Sequence, residues 1–202
     1  TTNIRKGETV GIVGESGSGN TILFAGKFEP RKGARLLLKA FERALSKRSD
    51  LKLKMVGDGP EWEKEKQWVA ARNLGGSIEM VGRCSHVEVA ESFVSADVFV
   101  FPSLRDTTGA IVLEAMASEV PTVCFKHQGA RLMIDDKSGI RISVTNENET
   151  ISAMADALVA LCDDPERQEA MGRHARGRVV REFSWEGKTE RILAEYEKLW
   201  KQ

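Results

Sequence analysis

The stretch GESGSGNTILFAGKFEPRKG, residues 14 to 33, decides how the rest of the chain is read. Gly14, Gly19 and Thr21 fit the pattern G-x-x-x-x-G-K-[ST] of a phosphate-binding loop, except that Asn20 stands in the lysine's place. A working loop of that kind wraps phosphates in backbone N–H groups, reaches them with the lysine, and runs into a helix whose N-terminus faces the anion. Here Thr21 is followed by ILFAG, which reads as a strand. The helix and the lysine are missing together, so the glycines stand in front of a β-strand.

Outward from that strand, short β-rich apolar runs alternate with longer stretches of helical period. This is the pattern of an α/β domain, a Rossmann-like parallel sheet with helices on both faces. Strands are expected at ETVGIV (8–13), TILFAG (21–26), LKLKMVG (51–57), SIEMVG (77–82), DVFVFP (97–102) and PTVCFK (121–126), with GIRISV a weaker one. Leu37, Phe41, Ala44 and Leu45 recur at i, i+4, i+7 and i+8, which makes residues 34–47 an amphipathic helix. Residues 61–74, 86–95 and 110–118 are the next crossovers. After about residue 147 a helical tail begins with Ile151, Met154, Leu158 and Leu161. It ends with Ile192, Tyr196, Leu199 and Trp200 on one face, and it is expected to pack across the sheet.

A chain of 202 residues suits one large domain or two small ones, and can bury roughly 70% of its unfolded surface. Thirty basic and thirty acidic residues cancel, so no global field draws the protein to nucleic acid or an anionic membrane. The basic run RHARGRVVRE is interleaved with Ala175, Val179 and Val180 and has no aromatics among its charges, as a solvated helix face would. Cys84, Cys124 and Cys162 are widely spaced, and none has metal-ligand spacing with His86, His127 or His174, which read as surface residues. No 18-residue apolar run and no charged-then-apolar leader occurs, so no transmembrane segment is expected and the location is expected to be cytoplasmic.

Two resemblances follow from the motifs. IRKGETVGIVGESGSG, residues 4 to 19, resembles the start of an ABC-transporter ATPase. The rest of that family is missing: no LSGGQ-like signature occurs, and Pro102 and Ser103 follow VFVF where that family has an Asp-Glu pair. Residues 1–20 are therefore read as an N-terminal fragment, either a junction or an extra edge strand, and residues 21–202 as the main domain. In that domain ILFAGKFEPRKG, MVGDGPE, FPSLRDTTGAIVLEAMASEVPTV and FSWEGKTERILAEYEKL resemble, in order and spacing, the C-terminal donor-binding domain of glycosyltransferase family 4. The resemblance implies one half of a GT-B fold with a C-terminal helical tail. It implies a UDP- or GDP-sugar donor, no other cofactor, retaining and metal-independent chemistry, and a saccharide or lipid-linked saccharide acceptor. A full-length enzyme of this kind is cytoplasmic, with peripheral membrane attachment as an option. The family's acceptor-binding half precedes the donor half, and only about 20 residues precede it here, so the isolated chain is expected to be inactive or nearly so.

In an open α/β sheet, ligands collect outside the carboxyl ends of strands where the strand order reverses. The loops expected there carry Lys27 and Lys32, then Gly57 to Pro60 with Asp58, then Arg83, then Asp106 to Ile111. Sugar transfer leaves negative charge growing on the departing phosphate, which must be neutralised. The chain has no acidic D-x-D metal site, so Lys27 and Lys32 are the candidates, each charged hydrogen bond contributing about 1.5–3 kcal/mol. Both lysines would equally solvate a turn. The family has an arginine where Lys27 stands, so the bidentate geometry is lost there.

Gly109 lets a ligand approach the backbone, and the N–H groups of Ala110 and Ile111 open a helix toward it, with Thr108 adding a polar contact. Asp106 and Glu114 match the family's E-x7-E pair, which implies that Glu114 holds the ribose hydroxyls and Asp106 the donor sugar. Asp106 also has the chemistry of a helix cap, and Glu114 that of a surface acid. Gly57, Asp58 and Arg83 would flank the base, although a plain turn accounts for Gly57 and Gly59 as well. Glu119 and the single glycine of HQGARLM depart from the family's pattern. The alternatives are a non-catalytic nucleotide-binding or protein-interaction module and, from the glycine-rich opening, an ATP-hydrolysing fragment.

Overall fold

Strand β1, Thr21–Ala25, buries Leu23 and Ala25 on one face and Ile22 and Phe24 on the other. A strand buried on both faces belongs inside a parallel sheet covered by helices on each side. The computed structural model describes residues 20–106, 109–127 and 129–200, and there β1 is flanked by β2 (Lys52–Val56) and β4 (Val98–Phe101). The sheet is completed by β3 (Ile78–Gly82), β5 (Thr122–Phe125) and β6 (Gly139–Ile142), in the order β3-β2-β1-β4-β5-β6, with every neighbour pair parallel. The expected strand at residues 8–13, the ATPase-like stretch and Thr108 lie outside the described residues.

Each face of the sheet has its own apolar layer. Ile22, Phe24, Leu53, Met55, Val98 and Val100 pack with Leu37 and Phe41 of α1 (Ala34–Leu45), Trp68 of α2 (Trp62–Ala71) and Met154 and Leu158 of α6 (Glu147–Cys162). Leu23, Ala25, Phe99 and Phe101 pack with Phe93 of α3 (His86–Val94), Val112 and Met116 of α4 (Ala110–Ala117), Ala130 of α5 (Ala130–Met133) and Ala175 of α7 (Pro165–Arg178). Helices therefore cover both faces, as the alternation of buried residues along the strands requires.

The last helix departs from expectation. α6 packs on α1 and the sheet, but α8, Trp185–Trp200, leaves Ile192, Tyr196, Leu199 and Trp200 exposed. Two features turn it away. A π-helical turn at Val179–Phe183 ends the preceding helix, and Ser184 is extended, φ −64° and ψ 160°, with its hydroxyl accepting the Gly187 N–H at 3.0 Å to restart the chain as a helix. α6 and α7 already occupy the sheet faces that this apolar stripe was expected to cover.

Among the described residues no helix is long and apolar enough to cross a membrane. The three cysteines are unpaired. Burial pushes the Cys124 and Cys162 thiols up to about 12, so both stay neutral and act as small core residues.

Candidate functional site between β1 and β4

The chain steps from β1 through β2 to β3 in one direction, then returns to β4 on the other side of β1 and continues outward. The order reverses between β1 and β4, which opens a crevice at their carboxyl ends. A cavity of about 290 Å³ occupies it, floored by Phe24, Ala25 and Phe101 and walled by Lys32, Ser103, Asp106, Gly109, Ala110 and Ile111. Its size sits near the lower edge of small-molecule sites, which run from roughly 300 Å³ upward.

Lys32 reaches this wall because of Gly33. The turn Pro30–Lys32 ends at Gly33 with φ +73°, and a Cβ there would lie 2.1 Å from the Pro102 carbonyl oxygen. Only glycine combines that left-handed conformation with so close a backbone approach. The turn thus sits directly on the end of β4, and Lys32 Nζ forms an ion pair with Asp106 Oδ2, their side chains only 18% and 13% exposed. Asp106 Oδ1 accepts the Gly109 N–H at 3.1 Å. One carboxylate therefore fixes the turn that starts α4, in keeping with its cap chemistry, and also pairs with Lys32, a contact that the sequence did not indicate. The lysine head also lies 5.9 Å from the centre of the Phe101 ring.

Lys32, Asp106, Gly109, Ala110 and Ile111 are brought together as foreseen, whereas Lys27, Glu114, Gly57, Asp58 and Arg83 stand outside the cavity wall. Lys27 has a side chain 71% exposed, is 4.0 Å from Glu29, and is absent from the cavity wall. Its neighbour Phe28 is fully buried between Phe24 and Trp62, edge-on to both, which leaves Lys27 facing solvent. Glu29 instead holds Arg31 at 2.7 Å. Glu114 is exposed on α4, one turn beyond Ala110 and outside the cavity wall.

Gly57, Asp58 and Arg83 belong to adjoining loops. The Gly57 N–H donates to the Gly82 carbonyl at 2.7 Å, and the Phe28 N–H to the Asp58 carbonyl at 2.8 Å. A Cβ on Gly57, φ +131°, would lie 1.9 Å from the Gly26 carbonyl oxygen, so the close approach this glycine permits is that of the β1 loop. Asp58 and Arg83 have exposed side chains.

Three residues that line the cavity or hold its loops were not singled out in the sequence. Ser103, 5% exposed, donates its hydroxyl to the Arg31 carbonyl at 3.3 Å, and Arg31 Nη1 donates to the Arg105 carbonyl at 3.3 Å. His127, expected at the surface, has Nε2 2.9 Å from the Leu104 carbonyl oxygen. No local pattern marks any of them, because each acts on a loop more than 20 residues away. Among the described residues no group of three or more His, Cys, Asp or Glu is placed to hold a metal ion.

Six parallel strands in this order, with a cavity at the switch point beside a helix N-terminus, define a Rossmann-like domain. Residues 7–178 match the family of glycosyl transferases group 1, and the chain belongs to that family. A GDP-mannose-dependent monoacylated alpha-(1-6)-phosphatidylinositol monomannoside mannosyltransferase from Corynebacterium glutamicum is 29% identical over 170 residues, 81% of this chain and 43% of that protein. The chain spans about half the length of the curated relatives it matches, 43%, 51% and 45% of three of them.

Solved GT-B glycosyltransferases share the fold. The pneumococcal O-GlcNAc transferase GtfA, in complex with UDP and GlcNAc, superposes with a TM-score of 0.73 at 20% identity, over 89% of this chain and 35% of its own. The C-terminal domain of the group 1 glycosyl transferase LpcC from Francisella tularensis gives 0.70 at 21% identity, over 86% of this chain and 89% of that domain.

Proposed function

We propose that this chain is the donor-binding half of a retaining, metal-independent glycosyltransferase of family 4, and that it holds a UDP- or GDP-sugar in the crevice between β1 and β4. The observation that carries the reading is the Lys32–Asp106 pair at the topological switch point, beside the first residues of α4. Lys32 meets the diphosphate and neutralises the charge that grows on it as the glycosidic bond breaks. The start of α4 adds N–H groups and a dipole worth roughly 0.3–1 kcal/mol toward an anion. Asp106 turns from Lys32 to the hydroxyls of the donor sugar. Glu114, one turn further along the same helix, takes the ribose at the mouth, and the loops of Gly57, Asp58 and Arg83 flank the base.

Two relatives lend the donor class: one is named for GDP-mannose and one was solved with UDP. The domain needed is residues 21–202, and transfer requires an acceptor-binding half that meets this rim; the acceptor is a saccharide or lipid-linked saccharide. Calorimetric titration with UDP, GDP, ADP and ATP, with and without magnesium, tests the reading. Binding of one diphosphate without metal, weakened about tenfold by Glu114→Ala, is expected. Binding of ATP alone, dependent on magnesium and indifferent to Glu114, would overturn it.

A further inference from the structure

The loop between β4 and α4 is held from two sides. On the β1 side the Leu104 N–H donates to the Arg31 carbonyl at 2.8 Å, and Lys32 pairs with Asp106. On the β5 side His127 Nε2 lies 2.9 Å from the Leu104 carbonyl oxygen, and the Gly129 N–H points to the Asp106 carbonyl at 3.5 Å. A carbonyl only accepts, so Nε2 carries the proton and donates it. Nε2 keeps that proton in the imidazolium form as well, so the bond is made in either charge state. The imidazole ring lies nearly parallel to the buried ring of Phe125, 12° apart with centres 5.7 Å distant, which fixes its direction.

We infer that His127 is a positioning residue for donor-sugar recognition: it clamps Leu104 and so sets where Asp106 stands against Lys32. The inference rests on the donor-binding reading for the part played by the sugar, and on geometry alone for the clamp. The Arg31 bond takes the N–H of Leu104 and the His127 bond takes its C=O, so the peptide planes two residues before Asp106 are fixed on both sides. A side chain that meets ligand hydroxyls must be held to within about half an ångström to be useful. Lys32 does not supply that restraint once its ammonium turns to a diphosphate. His127, across the gap between the β4 and β5 loops, then holds the loop together with Arg31 and Gly129.

The test uses His127→Ala and His127→Gln, since the glutamine amide nitrogen stands the same number of bonds from Cα as Nε2 and also donates. Amide hydrogen exchange of residues 103–106 reads the clamp without any ligand. Titration with UDP-glucose and GDP-mannose, against UDP and GDP, reads its effect on the sugar. His127→Ala is expected to speed exchange in that loop about tenfold and to weaken the nucleotide sugar about tenfold. The plain diphosphate should stay within about twofold, and His127→Gln should restore both. Unchanged exchange in His127→Ala would overturn the clamp. Equal weakening of sugar and diphosphate, with no recovery by glutamine, would overturn the sugar-positioning role. If the unaltered protein bound none of the four nucleotides, the donor-binding reading would fail while the exchange result still judged the clamp.

Discussion

The Lys32–Asp106 pair can be measured by a double-mutant cycle. Lys32→Met keeps an unbranched side chain of similar length while removing the ammonium, and Asp106→Asn keeps an oxygen for the Gly109 N–H, so each change removes charge and little else. Exposed pairs contribute about 0.2–1 kcal/mol, whereas breaking a fully buried one costs about 3–5 kcal/mol. At 18% and 13% exposure this pair belongs between those limits, and a coupling energy of roughly 1–3 kcal/mol is expected. Urea unfolding of the four proteins, at low and at high salt, reads it directly. Most of the coupling should survive the salt, because the crevice screens it less than the surface would. A coupling below about 0.3 kcal/mol, within the usual error of additivity, would refute the electrostatic account of this site.

Two further outcomes follow from the geometry. Gly33→Ala should cost about 2–4 kcal/mol in urea unfolding, since it adds left-handed strain to an overlap with the Pro102 carbonyl; a loss under about 0.5 kcal/mol would mean that the turn is not seated on β4 as described. Asp135, between α5 and β6, has a carboxyl that burial alone would push up. The hydrogen bonds from Ser138 and His174 and the Arg178 charge outweigh that effect and lower it to about 2. An unfolded aspartate titrates near about 3.9, so the stability this group contributes is complete above that value and is lost as pH falls through about 2. The stability gap between the unaltered protein and Asp135→Asn should therefore shrink from pH 4 to pH 2, and a constant gap would refute the assignment.

The sheet was legible because its strands bury alternate residues on two apolar layers, and β1 to β5 fall inside the stretches that pattern marked. β6 read more weakly because Arg141 sits in the middle of it, a charge that leaves the strand to pair with Asp136. Lys32 and Asp106 are 74 residues apart, and only the order in which the strands are wound makes them neighbours. That their loops meet on one rim was legible through topology and family resemblance, not through any local signal. Lys27 looked equivalent to Lys32 because sequence spacing carries no direction; the burial of Phe28 decides that Lys27 points outward. His127 had no pattern to mark it, since its partner is a backbone carbonyl in another loop. The apolar stripe of α8 was read correctly as one helical face, but not its destination, because periodicity does not say which surfaces other helices have already taken.

Calorimetric titration of Lys32→Met with UDP and GDP, beside the corresponding nucleosides uridine and guanosine, addresses the function most directly. Nucleoside binding should be unchanged, while diphosphate binding should weaken tenfold or more, a loss of about 1.4 kcal/mol or greater. Diphosphate affinity equal in the altered and unaltered proteins would contradict the placement of the donor phosphates between β1 and β4.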